Sequence, residues 1–303
     1  MPNNSPETMQ EGLSVLIPVY NHGCAGTVSK LLALCDSVPR LRYEIIVADD
    51  GSTDSGALKA NGAIAGMPNC RFYALGKNSG SAATRNFLAE QSQYRWLLFL
   101  DCDIGFHGSD FIATYLDNRT EGCVTSGGVI TCGATKKLRR NLRFVYEHNA
   151  ETAHSAAERS KRPYQSFRSV SFMIPRDVFL ECRFDERFRR FEDVYFGKEL
   201  QRRGIGIRHI DNPVVISDFE SNEKYLNKIE LDLRVLYDFR EELAGFSRML
   251  DSTRALRRAV PLRVIKVWHR LFGRAERRLL TVCRPNLCLF NIYRIGYFMS
   301  NYK

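Results

Sequence analysis

The sequence lacks the features of a membrane-spanning, secreted or cysteine-based metal protein. It has no run of about twenty apolar residues, so an ordinary membrane-spanning helix is not expected. The first twelve residues are polar and lack the basic-then-apolar order of a signal peptide. The nine cysteines are odd in number and show no Cys-x-x-Cys spacing. A reducing, cytoplasmic location fits these absences best.

Acidic residues are nearly absent from the end of the chain. Residues 252–303 contain twelve Lys or Arg and one acid, Glu276, which gives this segment a net charge of +11. Because the whole chain of 303 residues has a net charge of +10, the first 251 residues carry about −1. The basic character therefore belongs to a tail.

Apolar runs and helical patterns alternate before that tail. Strands are predicted at 13–19, 43–48, 71–75 and 96–100, and helices at 27–38 and 81–91. This order favours an α/β fold with a mainly parallel sheet covered on both faces. Ligands of such sheets bind beyond the carboxyl ends of the strands. Because Pro18–Asn21, Asp49-Asp50 and Asp101–Asp103 all follow strands, we expect them to meet in one crevice.

Two acidic pairs are the strongest chemical signal. Asp101 and Asp103 follow the buried run Trp96–Leu100, and ionised carboxylates are costly to bury without a partner, so they predict a nearby cation or other positive group. Glu192 and Asp193 precede a helical pattern. The helix dipole alone would favour acids there, so the second pair also has a purely structural explanation.

Five segments occur in the order and spacing of glycosyltransferase family 2, and the chain resembles that family over roughly Leu13 to Asp218. The segments are Ser14–Asn21, Val47–Asp54, Asn78–Asn86, Leu100–Asp103 and Phe191–Asp193. The resemblance implies the GT-A fold, a Rossmann-like sheet covered by helices. It divides the chain into a polar tail 1–12, a GT-A domain 13–221 with a nucleotide-binding part 13–103 and an acceptor part 104–221, and a helical, basic and amphipathic extension 222–303.

The resemblance implies that the first two strand ends hold a nucleoside. The corresponding residues here are Pro18, Tyr20 and Asp50. A carboxylate can accept a hydrogen bond from a pyrimidine imide N–H, so Asp50 suits this role. Capping of a turn by Asp49 and Asp50 is the simpler alternative.

The next two segments imply contacts with the diphosphate and a metal ion. Asn78, Gly80 and Arg85 match a family element in which a glycine turn approaches the ligand and Arg85 faces phosphate or the acidic motif. A surface ion pair of Arg85 is the alternative. Asp101 and Asp103 are implied to recognise the nucleotide sugar and bind the metal, with Asp103 as the direct ligand. Mg²⁺ and Mn²⁺ are the expected ions because both prefer oxygen ligands.

The last segment implies the catalytic base. Asp193, with Glu192 beside it, would take a proton from an acceptor hydroxyl as that oxygen attacks the anomeric carbon of the sugar. A single displacement of this kind inverts the anomeric configuration.

Two departures from the family pattern concern the same region. Phe191 stands where many members carry glycine, and Val214–Asp218 lacks the metal-binding histidine that many members place there. Asp218 could take the place of that histidine, or less favourably His209. We predict His209 to be a half-exposed strand residue.

The pattern after Pro261 predicts a basic amphipathic helix. Its two sides are a basic arc with Arg263, Lys266, Arg270, Arg274, Arg277 and Arg278, and an apolar side with Val264, Ile265, Trp268, Leu271, Phe272 and Leu279. The apolar, aromatic-rich segment 287–299 is too short to span a bilayer but could sit in its interface. We expect 261–299 to meet an anionic membrane surface. A solvated, nucleic-acid-facing or acceptor-binding surface is the alternative.

Taken together, these patterns predict a peripheral inverting glycosyltransferase on the cytoplasmic face of a membrane. It would use Mn²⁺ or Mg²⁺ to move a sugar from a nucleotide diphosphate, most simply UDP, to a carbohydrate or lipid-linked hydroxyl in cell-surface polysaccharide or glycolipid synthesis. The alternatives are a metal-dependent nucleotidyltransferase and a noncatalytic membrane or nucleic-acid binding protein that acts through its tail. Nucleic acid is not the expected partner.

Overall fold

The computed structural model describes residues 10–150 and 155–301, in which strands and helices alternate. The first elements are β1 (Gln10–Val19), α1 (Ala25–Asp36), β2 (Tyr43–Asp49), α2 (Ser55–Gly62), β3 (Cys70–Ala74), α3 (Ser81–Gln91), β4 (Tyr94–Leu100), β5 (Ile104–Phe106), α4 (Phe111–Asp117), β6 (Val124–Ser126), β7 (Val129–Thr131) and α5 (Leu142–Ala150). The remaining elements are α6 (Ala156–Ser160), β8 (Ser171–Pro175), α7 (Arg176–Cys182), α8 (Glu192–Arg203), β9 (Ile207–His209), β10 (Val214–Ile216), α9 (Asn222–Asp238), α10 (Arg248–Ala259), α11 (Leu262–Val282) and α12 (Leu287–Ser300).

These elements form two compact units. The first contains the described residues of Met1–Val129 and Ser155–Ile216, and the second contains those of Ile130–His154 and Ser217–Lys303. The predicted junction between residues 221 and 222 lies close to the second boundary. The described residues 130–150 belong to the second unit, whereas the predicted division includes them in the GT-A domain.

The first unit is built on a sheet whose order among the described residues is β3-β2-β1-β4-β8-β6-β9. Strands β3, β2, β1 and β4 are parallel, as the alternation of strands and helices predicts. Strand β8 runs antiparallel to both of its neighbours, and β6 and β9 are parallel. The carboxyl ends of β1, β2 and β4 therefore lie side by side at one edge of the sheet.

Both faces of this sheet are buried, which explains why β1 and β4 are apolar runs without alternating polar residues. One face packs Val15 and Ile17 against Val28 and Leu31 of α1. The opposite face packs side chains from several elements in one cluster, including Leu16, Phe99, Leu88, Phe179 and Phe196. Two layers of helices thus hold the strand ends in place.

The predicted elements of the first unit are confirmed, with ends that move by a few residues. Helix α3 spans Ser81–Gln91 as predicted, and it begins after Gly80, whose φ of +96° is a conformation open to glycine. Helix α2 is capped by Asp54, whose carboxylate accepts from the N–H groups of Gly56 and Ala57. Helix α8 ends at Gly204 in the left-handed conformation.

The second unit is helical around its own core. Large side chains from α5, α9, α11 and α12 pack in that core: Leu142, Tyr225, Leu226, Leu280, Phe290 and Tyr293. The aromatic-rich segment 287–299 therefore forms a core helix, because Phe290, Tyr293 and Phe298 are buried. Within the described part of the chain, no helix has both the length and the apolar character needed to cross a membrane.

Candidate active site

The loops after β1 and β2 are joined by one asparagine. Asn21 has a φ of +50°, and its side-chain oxygen accepts from the backbone N–H groups of Thr53 (2.8 Å) and Asp54 (3.0 Å). The N–H of Asn21 donates to the hydroxyl of Ser52, which in turn donates to the carboxylate of Asp49. Asp49 is buried and also accepts from the N–H of Ser52. Asp49 therefore holds the turn, as the capping alternative predicts.

Asp50 joins this turn to the glycine loop before α3. Its two carboxylate oxygens accept from the backbone N–H groups of Ser79 (2.7 Å) and Gly80 (2.8 Å). Gly51, with a φ of +71°, lies so close to this loop that a Cβ on it would be 2.6 Å from the nitrogen of Asn78. Each carboxylate oxygen has a second lone pair, so contact of Asp50 with a nucleoside remains a prediction.

The exposed side of these loops is open to a ligand. Tyr20, the first residue after β1, is 47% exposed, while Pro18 within the strand is half-buried. Asn78 is half-buried, and its carbonyl accepts from the guanidinium of Arg189. Contact of Tyr20 with a nucleobase therefore remains a prediction, which its exposure at the carboxyl end of a parallel strand allows.

Arg85 connects the two acidic pairs. Its guanidinium donates through Nη2 to Asp101 (2.7 Å) and through Nη1 to Glu192 (3.2 Å). Its side chain is only 4% exposed and lies over the ring of Phe184. Because charge-assisted hydrogen bonds in such a setting are strong, Arg85 holds Asp101 close to Glu192, a residue 107 positions from Arg85 in the sequence. The sequence predicted that Arg85 faces either phosphate or the acidic motif, and in the structure Arg85 binds carboxylates of both acidic pairs.

Asp101 and Asp103 differ in how they are engaged. Asp101 is paired with Arg85, and burial raises the pKa of Asp101 while Arg85 opposes the rise and Asp103 and Asp193 add to it. Asp103 is half-buried and has no hydrogen-bond partner within the described residues. Its carboxylate oxygens are therefore free to bind a hard cation, which suits the predicted metal ligand.

The surroundings of Asp193 favour its neutral form. Burial raises the pKa of Asp193 to about 6, and Glu192 acts in the same direction, while Arg168 and the N–H of Val194 lower it. Glu192 is instead fixed by hydrogen bonds, because its Oε1 accepts from Arg85 and from the hydroxyl of Ser81 (2.8 Å). The site thus contains one carboxylate fixed by hydrogen bonds and one poised to exchange a proton near neutral pH.

A sequence model described as "Glycosyl transferase family 2" matches residues 14–184, more than half of the chain. The chain belongs to glycosyltransferase family 2. The match contains the loops after β1, β2 and β4, and it ends before Glu192 and Asp193. The assignment of the family therefore stands independently of the proposed base.

Curated relatives agree with the family. An uncharacterized glycosyltransferase of Haemophilus influenzae is 35% identical over 33% of this chain and 37% of its own length. Glycosyltransferase AglE of Haloferax volcanii is 31% identical over 52% of this chain and 45% of its own length. Succinoglycan biosynthesis protein ExoU of Rhizobium meliloti is 26% identical over 64% of this chain and 50% of its own length. The chain thus spans half or less of the curated relatives it matches.

Solved structures show the same fold. The crystal structure of S. aureus TarS 1-349 aligns over 95% of this chain and 90% of that chain, with a TM-score of 0.53 and 17% identity. TarS 1-349 in complex with UDP-GlcNAc aligns over the same shares, with a TM-score of 0.52 and 16% identity. The GT-A architecture predicted for this family-2 chain is thereby confirmed.

Two residues predicted as alternative metal ligands have different surroundings. His209 lies in strand β9 as predicted, but it is 7% exposed and not half-exposed, because its ring packs between Arg159 and Pro163. Its Nε2 lies 3.0 Å from the carbonyl of Pro163 and its Nδ1 accepts from Arg159, so both nitrogens are engaged. Asp218 is exposed after β10 in the second unit and remains a prediction.

Three residues of the site have roles that the sequence did not reveal. Asn21 was part of a recognised segment, but its left-handed backbone and its clamp on the β2 loop needed the structure. Ser81 resembled an ordinary residue at a helix start, although it bonds Glu192. Arg168, which lowers the pKa of Asp193, lies in a stretch without a recognisable motif.

Proposed function

We propose that this protein is an inverting glycosyltransferase that moves a sugar from a nucleotide diphosphate to a hydroxyl acceptor. The observation that carries the proposal is the bridge from Arg85 to Asp101 and Glu192. This bridge brings the acids after β4 together with the acids that begin α8. Donor recognition and proton transfer would thus share one site at the carboxyl ends of the strands.

The donor is proposed to be a UDP-sugar. Support comes from the fold shared with TarS 1-349, which has been solved in complex with UDP-GlcNAc. The base would lie near Tyr20 and Asp50, and the glycine loop from Asn78 to Gly80 would face the diphosphate. Arg85 would neutralise the acids around the donor and not the phosphate itself, because its two Nη groups already bind carboxylates.

A divalent cation, Mn²⁺ or Mg²⁺, is proposed at Asp103. Within the described residues no three His, Cys, Asp or Glu side chains form a group able to hold an ion. Asp103, whose carboxylate has no hydrogen-bond partner among the described residues, would be its direct protein ligand, with Asp101 as a further candidate and diphosphate oxygens completing the set. The ion would neutralise the charge that develops on the leaving diphosphate.

Asp193 is proposed as the general base. In its ionised form it would accept the proton of the acceptor hydroxyl while that oxygen attacks the anomeric carbon and the bond to the diphosphate breaks. Glu192 would position the site through Arg85 and Ser81. A neutral Asp193 cannot take this proton, so its raised pKa sets the lower pH limit of the reaction.

The acceptor is proposed to be a carbohydrate or lipid-linked hydroxyl in cell-surface polysaccharide or glycolipid synthesis. The likeness to succinoglycan biosynthesis protein ExoU supports a polysaccharide. The enzyme would then work as a peripheral protein on the cytoplasmic face of a membrane, where nucleotide sugars and nascent lipid-linked glycans meet.

Asp193→Asn should separate donor binding from transfer. General base action is worth about 10² to 10⁴ in rate, so transfer should fall by that factor while the dissociation constant for the donor stays the same. The measurement is release of UDP from a panel of UDP-sugars with oligosaccharide or lipid-linked acceptors, beside calorimetric binding of UDP. An equal loss of binding and transfer in Asp193→Asn would contradict the assigned base, and so would full transfer activity.

A further inference from the structure

Helix α11 exposes its apolar side, whereas a helix that only packs against its neighbours would bury that side. The side turned into the second unit carries small or polar residues, namely Gly273 and Glu276, with Leu280 as its one large buried apolar side chain. The opposite side is apolar and exposed: Val264, Val267, Trp268, Leu271, Phe272, Leu279 and Val282, which together we call the apolar ridge. Its most exposed members include Leu271 at 67% and Val282 at 78%.

The inward side of α11 is fixed by specific contacts, so the outward ridge is fixed too. A Cβ on Gly296 of α12 would come within 2.9 Å of the ring of His269 on α11, which shows how closely the two helices approach there. Arg277 bonds Glu230 and Asn227 of α9. The ridge is therefore the outer surface of a helix held in this orientation, since turning it inward would break these contacts.

A row of exposed arginines borders the ridge. The exposed side chains of this row are Arg263, Arg270, Arg274 and Arg278. They follow one another at intervals of seven, four and four residues, which places them on one flank of α11. The one acid of the helix, Glu276, is buried and accepts a hydrogen bond from Trp268. Nothing on α11 therefore offsets the charge of this flank at the surface.

We propose that the apolar ridge of α11 and its flanking arginines dock on an anionic lipid membrane. Apolar and aromatic side chains would enter the boundary between headgroups and acyl chains, while the arginines would meet anionic headgroups beside them. A second copy of the chain fits less well, because it would bring another strongly basic surface to the same place. Nucleic acid would leave the apolar ridge in water.

Tryptophan emission offers a test in the unmodified protein. The sequence has two tryptophans. Trp96 is 3% exposed in the first unit, and Trp268 is 49% exposed on the ridge. Vesicles of phosphatidylcholine with phosphatidylglycerol should bind the protein and shift the Trp268 emission to shorter wavelength, while vesicles of phosphatidylcholine alone should do so much less. Binding without a shift would contradict insertion of the ridge.

Variants then separate the apolar and charged contributions. Val267→Glu with Leu271→Glu should weaken flotation with anionic vesicles by roughly ten-fold or more for each side chain. Replacing Arg263, Arg270 and Arg274 by Gln should weaken it by about five-fold each, on the order of 100-fold together. The matched control is Leu231→Glu, an exposed leucine on α9, which should bind like the unmodified protein.

The outcomes decide between the possible occupants. All variants should keep the thermal stability and UDP binding of the unmodified chain, because the changed side chains are exposed, so a failure here is distinct from a failure of the proposed transferase. Undiminished vesicle binding by the two-glutamate variant would overturn the proposal. So would a dimer in light scattering that this variant converts to monomer while vesicles remain unbound, since that would make the ridge an interface between copies.

Discussion

Single residues set when the proposed chemistry can occur, and Asp193 is the clearest case. Its partly buried position raises its pKa to about 6, well above the ordinary value for aspartate. An aspartate with that pKa is ionised at neutral pH yet is a stronger base than an exposed one. Arg168 limits the rise, so the base strength depends on a residue outside the recognised motifs.

The pH dependence of transfer should report this pKa. Because Asp193 acts only when ionised, kcat/KM should be constant above neutral pH and fall as the pH drops through about 6. Arg168→Gln removes a positive charge that stabilises the ionised form, so the fall should move to higher pH. The check is a pH profile of both proteins with the same donor and acceptor. A fall near pH 4, or a profile unmoved by Arg168→Gln, would rule out this assignment.

Phe191 is a second residue-scale feature, because it occupies a conformation that suits glycine. Its φ of +63° lies in the left-handed region, which costs a bulky residue on the order of 1–2 kcal/mol. Glycine would adopt this conformation without that cost, and this chain keeps the conformation with Phe191 in place of glycine. The departure noted in the sequence does not displace Glu192 and Asp193 from the start of α8.

Two substitutions of Phe191 should reveal this strain. Phe191→Gly and Phe191→Ala both remove the half-buried ring, but only glycine adopts the left-handed backbone without cost. Phe191→Gly should therefore be more stable than Phe191→Ala by about 1 kcal/mol in urea unfolding, although glycine is usually the less stabilising of the two. Equal stability, or the opposite order, would show that the backbone at 191 is not strained.

The elements of the first unit explain why motifs far apart in sequence meet. Parallel strands β1, β2 and β4 end at the same edge, and the turns there are tied by side chains such as Asn21 and Asp50. The apolar runs and capping residues were sufficient to predict these strands and α3. The antiparallel insertion of β8 between β4 and β6 could not be predicted, because a buried strand has the same apolar pattern in either direction.

Helix α3 is anchored by Asn86, and this anchor is testable. The side chain of Asn86 accepts from the N–H of Phe184 (3.0 Å) and donates to its carbonyl (2.9 Å). Asn86→Ala would leave both buried backbone groups without a partner and should lower the free energy of unfolding by about 2–3 kcal/mol. Asn291→Ala, at an exposed position of α12, is the control and should change it by less than about 0.5 kcal/mol. A small effect at Asn86 would mean that this anchor is dispensable.

On the scale of the whole molecule, the described residues form two compact units, whereas the predicted domain bounds stay a prediction. The charge asymmetry and the change to helical patterns predicted a distinct C-terminal region. The structure groups the described residues 130–150 with the C-terminal helices, because Leu142 of α5 packs with Tyr225, Leu226 and Phe290. Nothing local marks this segment, since packing between residues some eighty or more positions apart leaves no periodic signal in either one.

The candidate site shows the same limit of sequence reasoning. The types and order of the motif residues were sufficient to identify the family, while the roles of Asp50, Arg85, Asp103 and Asp193 stay predictions. Which carboxylate is engaged and which is available depends on contacts across the fold. Arg85 binds Asp101 and Glu192, whereas Asp103, the proposed metal ligand, has no hydrogen-bond partner among the described residues.

The most direct test of the whole account is calorimetric titration with UDP, with and without Mn²⁺, of the unmodified protein and of Asp103→Asn. We predict micromolar binding that requires both the ion and Asp103, because Asp103 is the proposed link between the protein and the metal-bound diphosphate. Binding that is unaffected by chelation and by Asp103→Asn would contradict the metal site. No binding of UDP, GDP, CDP or dTDP by the unmodified protein would contradict the donor site itself.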